Sequence, residues 1–342
     1  MKQEYVINEL KPGMYIAEVL EQSGKLKIKT QGVVSTLTAI KTLNEKGVRR
    51  VLVDLSKSKL EQQDNSEQEE TIEPAMPQLT AQAAKPVSFD NEVKKAATLY
   101  DEAKSIQQRA FNNAKAGKAI DTGAMKDIAS DFIDSAFRNQ DALACMTRMR
   151  MKDEYLIEHS INVSIIMTLF AKHLNFERDI IEQLATGALL LDLGKIGIAD
   201  SILNSPKKLN EQETTTIQNH VNLGHKVLSK SGDLGEISLE IVLDHHENVD
   251  GSGYPNGKKA EQLSQYAKMA AIVDSYDAIT ADKIYQPAKS PVNAFKILRN
   301  ECGTRYDSEL VAEFIKCMGI HPVGTLVKMK SNKLGIVIQS NH

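Results

Sequence analysis

Five places in this sequence put polar, metal-competent side chains inside apolar helical stretches. They are His159, Asp192 with Lys195, His220, the run His245-His246-Glu247, and Asp274. Imidazoles mixed with carboxylates suit borderline-hard divalent ions, iron or manganese for example. A bridging carboxylate can hold two such ions about 3.5–4 Å apart and support in-line attack on phosphorus. The chemistry suggested is therefore hydrolysis of a phosphate ester with one or two divalent metals. Each residue also has a plain structural reading. A lone histidine on an apolar face is commonly a satisfied core residue, adjacent histidines commonly sit at a helix end, and Asp274 can serve as a cap or an ion-pair partner.

Helices must position these groups. From Asp90 onward the pattern is helical: Val93, Ala96, Leu99, Tyr100, Ala103, Ile106 and Ala110 recur at helical spacing. This Ala-rich helix can be read as dimerising and signal-carrying, or as an ordinary packing helix. Met125, Ile128, Phe132 and Ala136 mark another helix, Ile161 to Leu174 and Leu184 to Leu193 two buried ones, and Tyr266, Met269, Ile272, Val273 and Tyr276 one more apolar face. Asn210 to Glu213 reads as a capping box opening a helix toward His220. Gly324 to Gln339 alternates like a strand pair turning at Ser331-Asn332.

The N-terminal 55 residues differ. Lys25 to Lys29 alternates like a half-buried strand, Ser35 or Thr36 can cap a helix bearing Leu37, Ile40 and Leu43, Gly47 stops it, and Val48 to Leu55 reads as a strand. Pro12-Gly13 marks a turn. Residues 57–84 carry six acids against Lys57 and Lys59, and Pro74, Pro77 and Pro86 interrupt any helix, so 57–88 reads as a solvated linker.

The 342 residues suffice for two or three domains, and 42% hydrophobic content supplies a core without any Trp. The formal net charge of −3 is a property of the linker and argues for neither nucleic acid nor an anionic membrane as partner. Three cysteines, Cys145, Cys302 and Cys317, make neither a disulfide framework nor a CxxC metal site. With no signal-peptide pattern at the N-terminus and no apolar run near 18 residues, a cytoplasmic protein is expected.

The segments Asp192-Leu193-Gly194-Lys195-Ile196-Gly197, His245-His246-Glu247, Asp250-Gly251-Ser252-Gly253-Tyr254-Pro255 and Ile272-Val273-Asp274-Ser275-Tyr276-Asp277 together resemble the HD-GYP subgroup of the HD metallohydrolases, over roughly 150–325. Residues 4–55, Leu10 to Met14 above all, resemble the small domain of unknown function that often precedes it, and Gly319 to Gly324 resembles the family's C-terminal extension. The resemblance implies a mainly α fold, a helical HD-type domain behind a small α+β domain. The implied layout is an N-terminal domain at 1–55, a linker at 56–89, connecting helices at 90–148, the HD-GYP domain at 149–325 and a β-like extension at 326–342.

It further implies hydrolysis of cyclic di-GMP, to the linear dinucleotide or on to GMP. His159 and Asp274 would serve one metal, His220, His245 and His246 the other, and Asp192 would bridge them. Lys195 would lie near the scissile phosphate, and Gly253, Tyr254 and Pro255 would form a loop for substrate access or contact with diguanylate cyclase domains. A homodimer is compatible with the helix after the linker. His173, His225, His321 and His342 match no ligand position. Met146, Met149 and Met151 read as packing residues and Cys145 as a small buried apolar one.

One departure is chemical. The family's signature His-Asp pair is Leu191-Asp192 here, and leucine has no lone pair to give. The expectation is one firmly held ion and a second held weakly or not at all. Tyr155 stands where some members add a carboxylate for a third metal, and Glu154 and Glu158 lack its spacing. Lys283 and Gln286 replace arginines that help hold the phosphates, and lysine cannot copy arginine's bidentate fork. Three functions follow: a working cyclic di-GMP phosphodiesterase, an inactive descendant that binds the nucleotide or a cyclase partner, and a phosphohydrolase of another nucleotide.

Overall fold

The computed structural model describes residues 2–7, 10–11, 14–22, 32–34, 40, 43–44, 47–54, 57, 86–148, 155–203, 205, 207, 209–282 and 287–340. The chain divides into two units, Met1–Gln78 and Leu79–His342.

The first unit is an antiparallel sheet of β1 (Lys2–Val6), β2 (Tyr15–Gln22), β3 (Gly32–Val33) and β4 (Val48–Asp54), in the order β1-β4-β2-β3. Central β4 buries Val48, Val51 and Val53 against Ile7, Leu10, Met14, Ile16, Val34 and Ile40. Its β-branched residues fit that half-buried surface. Gly47 has φ 86° at the turn into β4, where a side chain would be strained. The strand expected at Lys25 to Lys29, the Pro12-Gly13 turn, the Ser35/Thr36 cap and nearly all of the linker lie outside the described residues.

The second unit is helical. Its helices are α1 (Phe89–Lys115), α2 (Thr122–Met146), α3 (Tyr155–His173), α4 (Arg178–Leu190), α5 (Asp200–Leu203), α6 (Glu211–Gln218), α7 (His220–Leu228), α8 (Glu236–Asp244), α9 (Gln265–Thr280), α10 (Pro291–Asn300) and α11 (Ser308–Met318). The stripe on α1 is buried in its own unit, where Ala96, Leu99, Ala103 and Ala110 pack with Phe132, Ile161 and Leu189. That is the packing-helix reading, and it removes this face from any dimer contact. Glu92 of α1 is fully buried beside Arg138 of α2 at 2.7 Å and accepts from Ser135 at 3.0 Å.

Helix α2 bends at Asn139, whose Oδ1 accepts from Ala142 N at 3.0 Å and whose amide donates to the Val87 carbonyl at 2.9 Å. Asn139 thus recaps the helix mid-run, a break the apolar periodicity does not register. The Asn210 capping box forms as expected, with both reciprocal bonds at 2.9 Å. Strands β5 (Leu326–Lys328) and β6 (Leu334–Ile336) pair antiparallel, with Asn332 at φ 64° in their turn. All three cysteines are free, and Cys145 is half-buried where burial was expected, next to half-buried Ala144 at the end of α2. Met146 is buried, while Met149 and Met151 lie outside the described residues. No helix among the described residues is long and apolar enough to cross a membrane.

Candidate metal centre

Five elements deliver the polar residues to one place. Helix α3 is buried around its whole circumference from Ile161 to Ala171, so it runs through the core and carries His159 into it. His159 Nδ1 lies 2.8 Å from Asp277 Oδ2 and Nε2 lies 3.0 Å from Asp274 Oδ1. The two acids are i, i+3 on α9 and so share a face. Burial pushes the His159 pKa down, but the bonds to Asp274 and Asp277 outweigh it and raise it to about 9.

Helix α4 stops at Leu190, and a 3-10 turn over Leu193–Gly197 follows, turning Asp192 inward. Gly194 makes the approach possible, since a Cβ there would sit 1.9 Å from the His220 carbonyl oxygen. Asp192 is fully buried and its two oxygens face different neighbours. Oδ2 accepts from Lys195 Nζ at 2.7 Å and lies 3.7 Å from His159 Nε2. Oδ1 faces His220 Nε2 at 3.4 Å and His245 Nε2 at 3.9 Å and has no hydrogen-bond partner. Burial raises the Asp192 pKa, yet the charge of Lys195 and the flanking imidazoles hold it well below the usual carboxylate range.

His220 opens α7 and His245 follows the end of α8. His220 Nδ1 is 2.7 Å from the Ile217 carbonyl, and His245 Nδ1 is 3.1 Å from those of Ile241 and Val242. A carbonyl can only accept, so each Nδ1 donates and each Nε2 presents a lone pair. These two Nε2 atoms are 3.4 Å apart. Burial depresses the pKa of His245 to about 4 and also lowers that of half-buried His246, whose Nδ1 lies 3.9 Å from Asp274 Oδ2. Asp192, His220, His245 and His246 each offer one ligand atom, all within 4.8 Å of one another. Lone pairs aimed at one another around a buried, unpartnered carboxylate oxygen are unfavourable without a cation between them. Imidazole and carboxylate donors fit a divalent transition ion.

Leu191 is fully buried in the apolar cluster that holds Val163, Met167, Val273 and Tyr276. Glu158 is not among the residues whose ligand atoms gather at the centre, and its carboxylate pairs with Lys104 at 2.8 Å. The Tyr155 ring stacks on His159, centroids 5.5 Å apart, in the place of a third-metal carboxylate.

The Gly253-Tyr254-Pro255 loop lies against this centre. Tyr254 is half-buried, its ring 4.8 Å from that of His246, and the Tyr254–Pro255 peptide is cis. Gly253 lets the loop pass over Glu247, since a Cβ there would meet the Asn248 nitrogen at 2.3 Å. The buried Glu247 carboxylate accepts from Asn256 N at 2.7 Å and Lys258 N at 3.0 Å, and Lys258 Nζ reaches Asp244 at 2.6 Å. Lys283, Gln286 and Glu154 lie outside the described residues.

A reading based on ligand types misses Asp277, and it singles out Glu247 beside the two histidines without giving it its role. Asp277's i, i+3 spacing from Asp274 was the available signal, whereas nothing local marks Glu247 as the anchor of a loop nine residues on. Of the other histidines, His173 is exposed beside Glu313 at 3.2 Å, His225 is half-buried, and His321 is exposed. His342 lies outside the described residues.

A family model described as HD domain matches residues 138–310, and one for a domain of unknown function, DUF3391, matches residues 2–125. The chain is similar to a protein named cyclic di-GMP phosphodiesterase from Pseudomonas aeruginosa, 33% identical over 255 residues, 75% of this chain and 61% of that one. A cyclic di-GMP phosphodiesterase of Thermotoga maritima is 29% identical over 192 residues, 56% of this chain and 52% of that one. A 3'3'-cGAMP-specific phosphodiesterase of Vibrio cholerae is 30% identical over 171 residues, 50% of this chain and 37% of that one. The chain thus spans less than two thirds of the length of these curated relatives. Among solved structures, an HDGYP protein of Bdellovibrio bacteriovorus aligns with TM-score 0.54 over 92% of this chain and 99% of that one, at 12% identity, a likeness of fold alone.

Proposed function

The chain belongs to the HD domain family, in its HD-GYP branch with the DUF3391 domain ahead of it, and on that premise we propose that it is a metal-dependent phosphodiesterase of cyclic di-GMP, acting in the cytoplasm. The observation that carries the reading is the convergence of Asp192 Oδ1, His220 Nε2 and His245 Nε2 with no donor among them. These three and His246 would hold one ion firmly, iron or manganese by donor type. His159, Asp192 Oδ2 and Asp274 would hold a second weakly, because Leu191 withholds a ligand.

Bound there, a divalent ion supplies Lewis-acid polarisation of the phosphate and lowers the pKa of water. The chain's own groups do the rest. The Lys195 ammonium, partly open to solvent beside Asp192, offsets charge that develops on the phosphoryl oxygens. Asp277 keeps the His159 ring oriented. Tyr254 covers the side of His246 and controls approach to the centre, and Lys283 serves the substrate's phosphates. The exposed Ser252 and Asn256 leave the same loop open to a diguanylate cyclase domain.

Buried Leu191 favours a second reading, a binder that does not turn over. Metal content and cyclic di-GMP hydrolysis of the wild type beside Leu191→His and Asp192→Asn separate the two. We expect about one ion and slow hydrolysis in the wild type, more metal and faster hydrolysis in Leu191→His, and neither in Asp192→Asn. A metal-loaded wild type that leaves the nucleotide intact sinks the enzyme reading. Two ions and equal rates in wild type and Leu191→His overturn the role given to Leu191.

A further inference from the structure

Helix α1 reaches the elements that carry the centre without contributing a ligand to it. Tyr100, Lys104 and Gln107 stand at i, i+4 and i+7 on it, beside the apolar stripe of Ala96, Leu99, Ala103 and Ala110. The Tyr100 hydroxyl donates to Asn162 Oδ1 at 3.0 Å, Lys104 Nζ pairs with buried Glu158 at 2.8 Å, and fully buried Gln107 donates from Nε2 to the Leu189 carbonyl at 2.6 Å. Glu158 and Asn162 bracket His159 on α3. Leu189 lies three residues before Asp192, in the last turn of α4, where carbonyls run out of intrahelical donors.

Buried polar groups cost stability unless hydrogen-bonded, and apolar residues at these positions would pack α1 as well. What the polar set adds is register. An apolar stripe tolerates sliding, whereas a one-residue slide of about 1.5 Å breaks directional bonds of this length.

We propose that Tyr100, Lys104 and Gln107 are positioning residues that set the placement of His159 and Asp192, so that the axial register of α1 tunes how tightly the centre holds its metal. The inference rests on the metal-dependent reading above, and it gives the helix that follows the linker a route into the centre.

The test is calorimetric titration of the full chain with Mn²⁺, with Tm measured alongside. Gln107→Leu and Lys104→Met should each raise the Mn²⁺ Kd about tenfold, at the lower end of effects seen for groups that orient metal ligands. Lys104→Arg, which keeps the pair with Glu158, should restore the wild-type Kd. Leu99→Ala, a packing loss on the same helix, should lower Tm and leave the Kd unchanged. If Gln107→Leu does not fold, the Lys104 pair decides alone. Wild-type Kd in the Gln107 and Lys104 variants, or an equal rise in Leu99→Ala, overturns the inference while leaving the functional reading intact. A wild type that takes up no Mn²⁺, Fe²⁺ or other divalent ion overturns both.

Discussion

Asp192 shows how much one side chain decides. Its Oδ2 is engaged by the Lys195 ammonium, while its Oδ1, buried and without a hydrogen bond, faces two imidazole lone pairs. The asymmetry separates a side of the centre rich in imidazole nitrogens from one rich in carboxylates, where Leu191 stands in place of the family's imidazole. Asp277 is the neighbour whose role is most directly testable. It holds the Nδ1 side of His159, so Asp277→Asn should weaken binding of the second, weakly held ion about 10–100-fold by calorimetry. An unchanged Kd would show that the ring needs no such support. The ligand types could be named from the sequence because imidazole and carboxylate chemistry is intrinsic to the residue. The free Oδ1 could not, because it depends on what the fold brings opposite.

Between elements, close approach and buried pairing matter most. The 3-10 turn after α4 touches α7 through Gly194, and no side chain fits between them. Gly194→Ala should cost about 1–3 kcal/mol by denaturant unfolding and reduce metal uptake with it. Normal metal uptake in that variant would mean that the turn can retreat without moving Asp192. Helices α1 and α2 are tied by Glu92 and Arg138. Burial raises the Glu92 pKa, but the bonds from Arg138 and Ser135 and the charge of Arg138 hold it below its ordinary value of 4.5.

A depressed carboxyl contributes stability that is present above its unfolded pKa and lost as pH falls through the folded one. Glu92→Gln should therefore cost about 3 kcal/mol near neutral pH. The gap to wild type should close on acidification below about pH 4.5. A gap that stays constant down to pH 3 would remove the ion pair from the account. Helices α1, α3 and α9 could be read from spacing, since a 3.6-residue period is local. The bend at Asn139 could not, because its side chain caps only once Val87 lies beside it.

At the scale of the whole chain, the two units have separate cores, and the candidate ligands all belong to the second. An ion that binds only the folded state stabilises it by about 2.7 kcal/mol at a concentration one hundred times Kd. Thermal unfolding monitored by calorimetry should then show a metal-dependent rise in the transition of residues 79–342, reversed by chelator. The transition of the N-terminal sheet should stay put. Metal-insensitive unfolding of the helical unit would count against a firmly held ion.

The sequence by itself determined the kinds of donor available, the helices that carry them, the Asn210 cap, the turn at Asn332 and the missing imidazole at 191. The first four follow from residue chemistry or from spacing within a few positions, and the last from the resemblance to the HD-GYP pattern. Tertiary structure alone decided that Glu158 turns to Lys104 instead of the centre and that Asp277 holds His159 across 118 positions of chain. It also decided that Asp192 divides its two oxygens between unlike neighbours. These outcomes depend on which helix faces pack together, and packing is settled by burial of the whole apolar surface, which no short window of sequence contains.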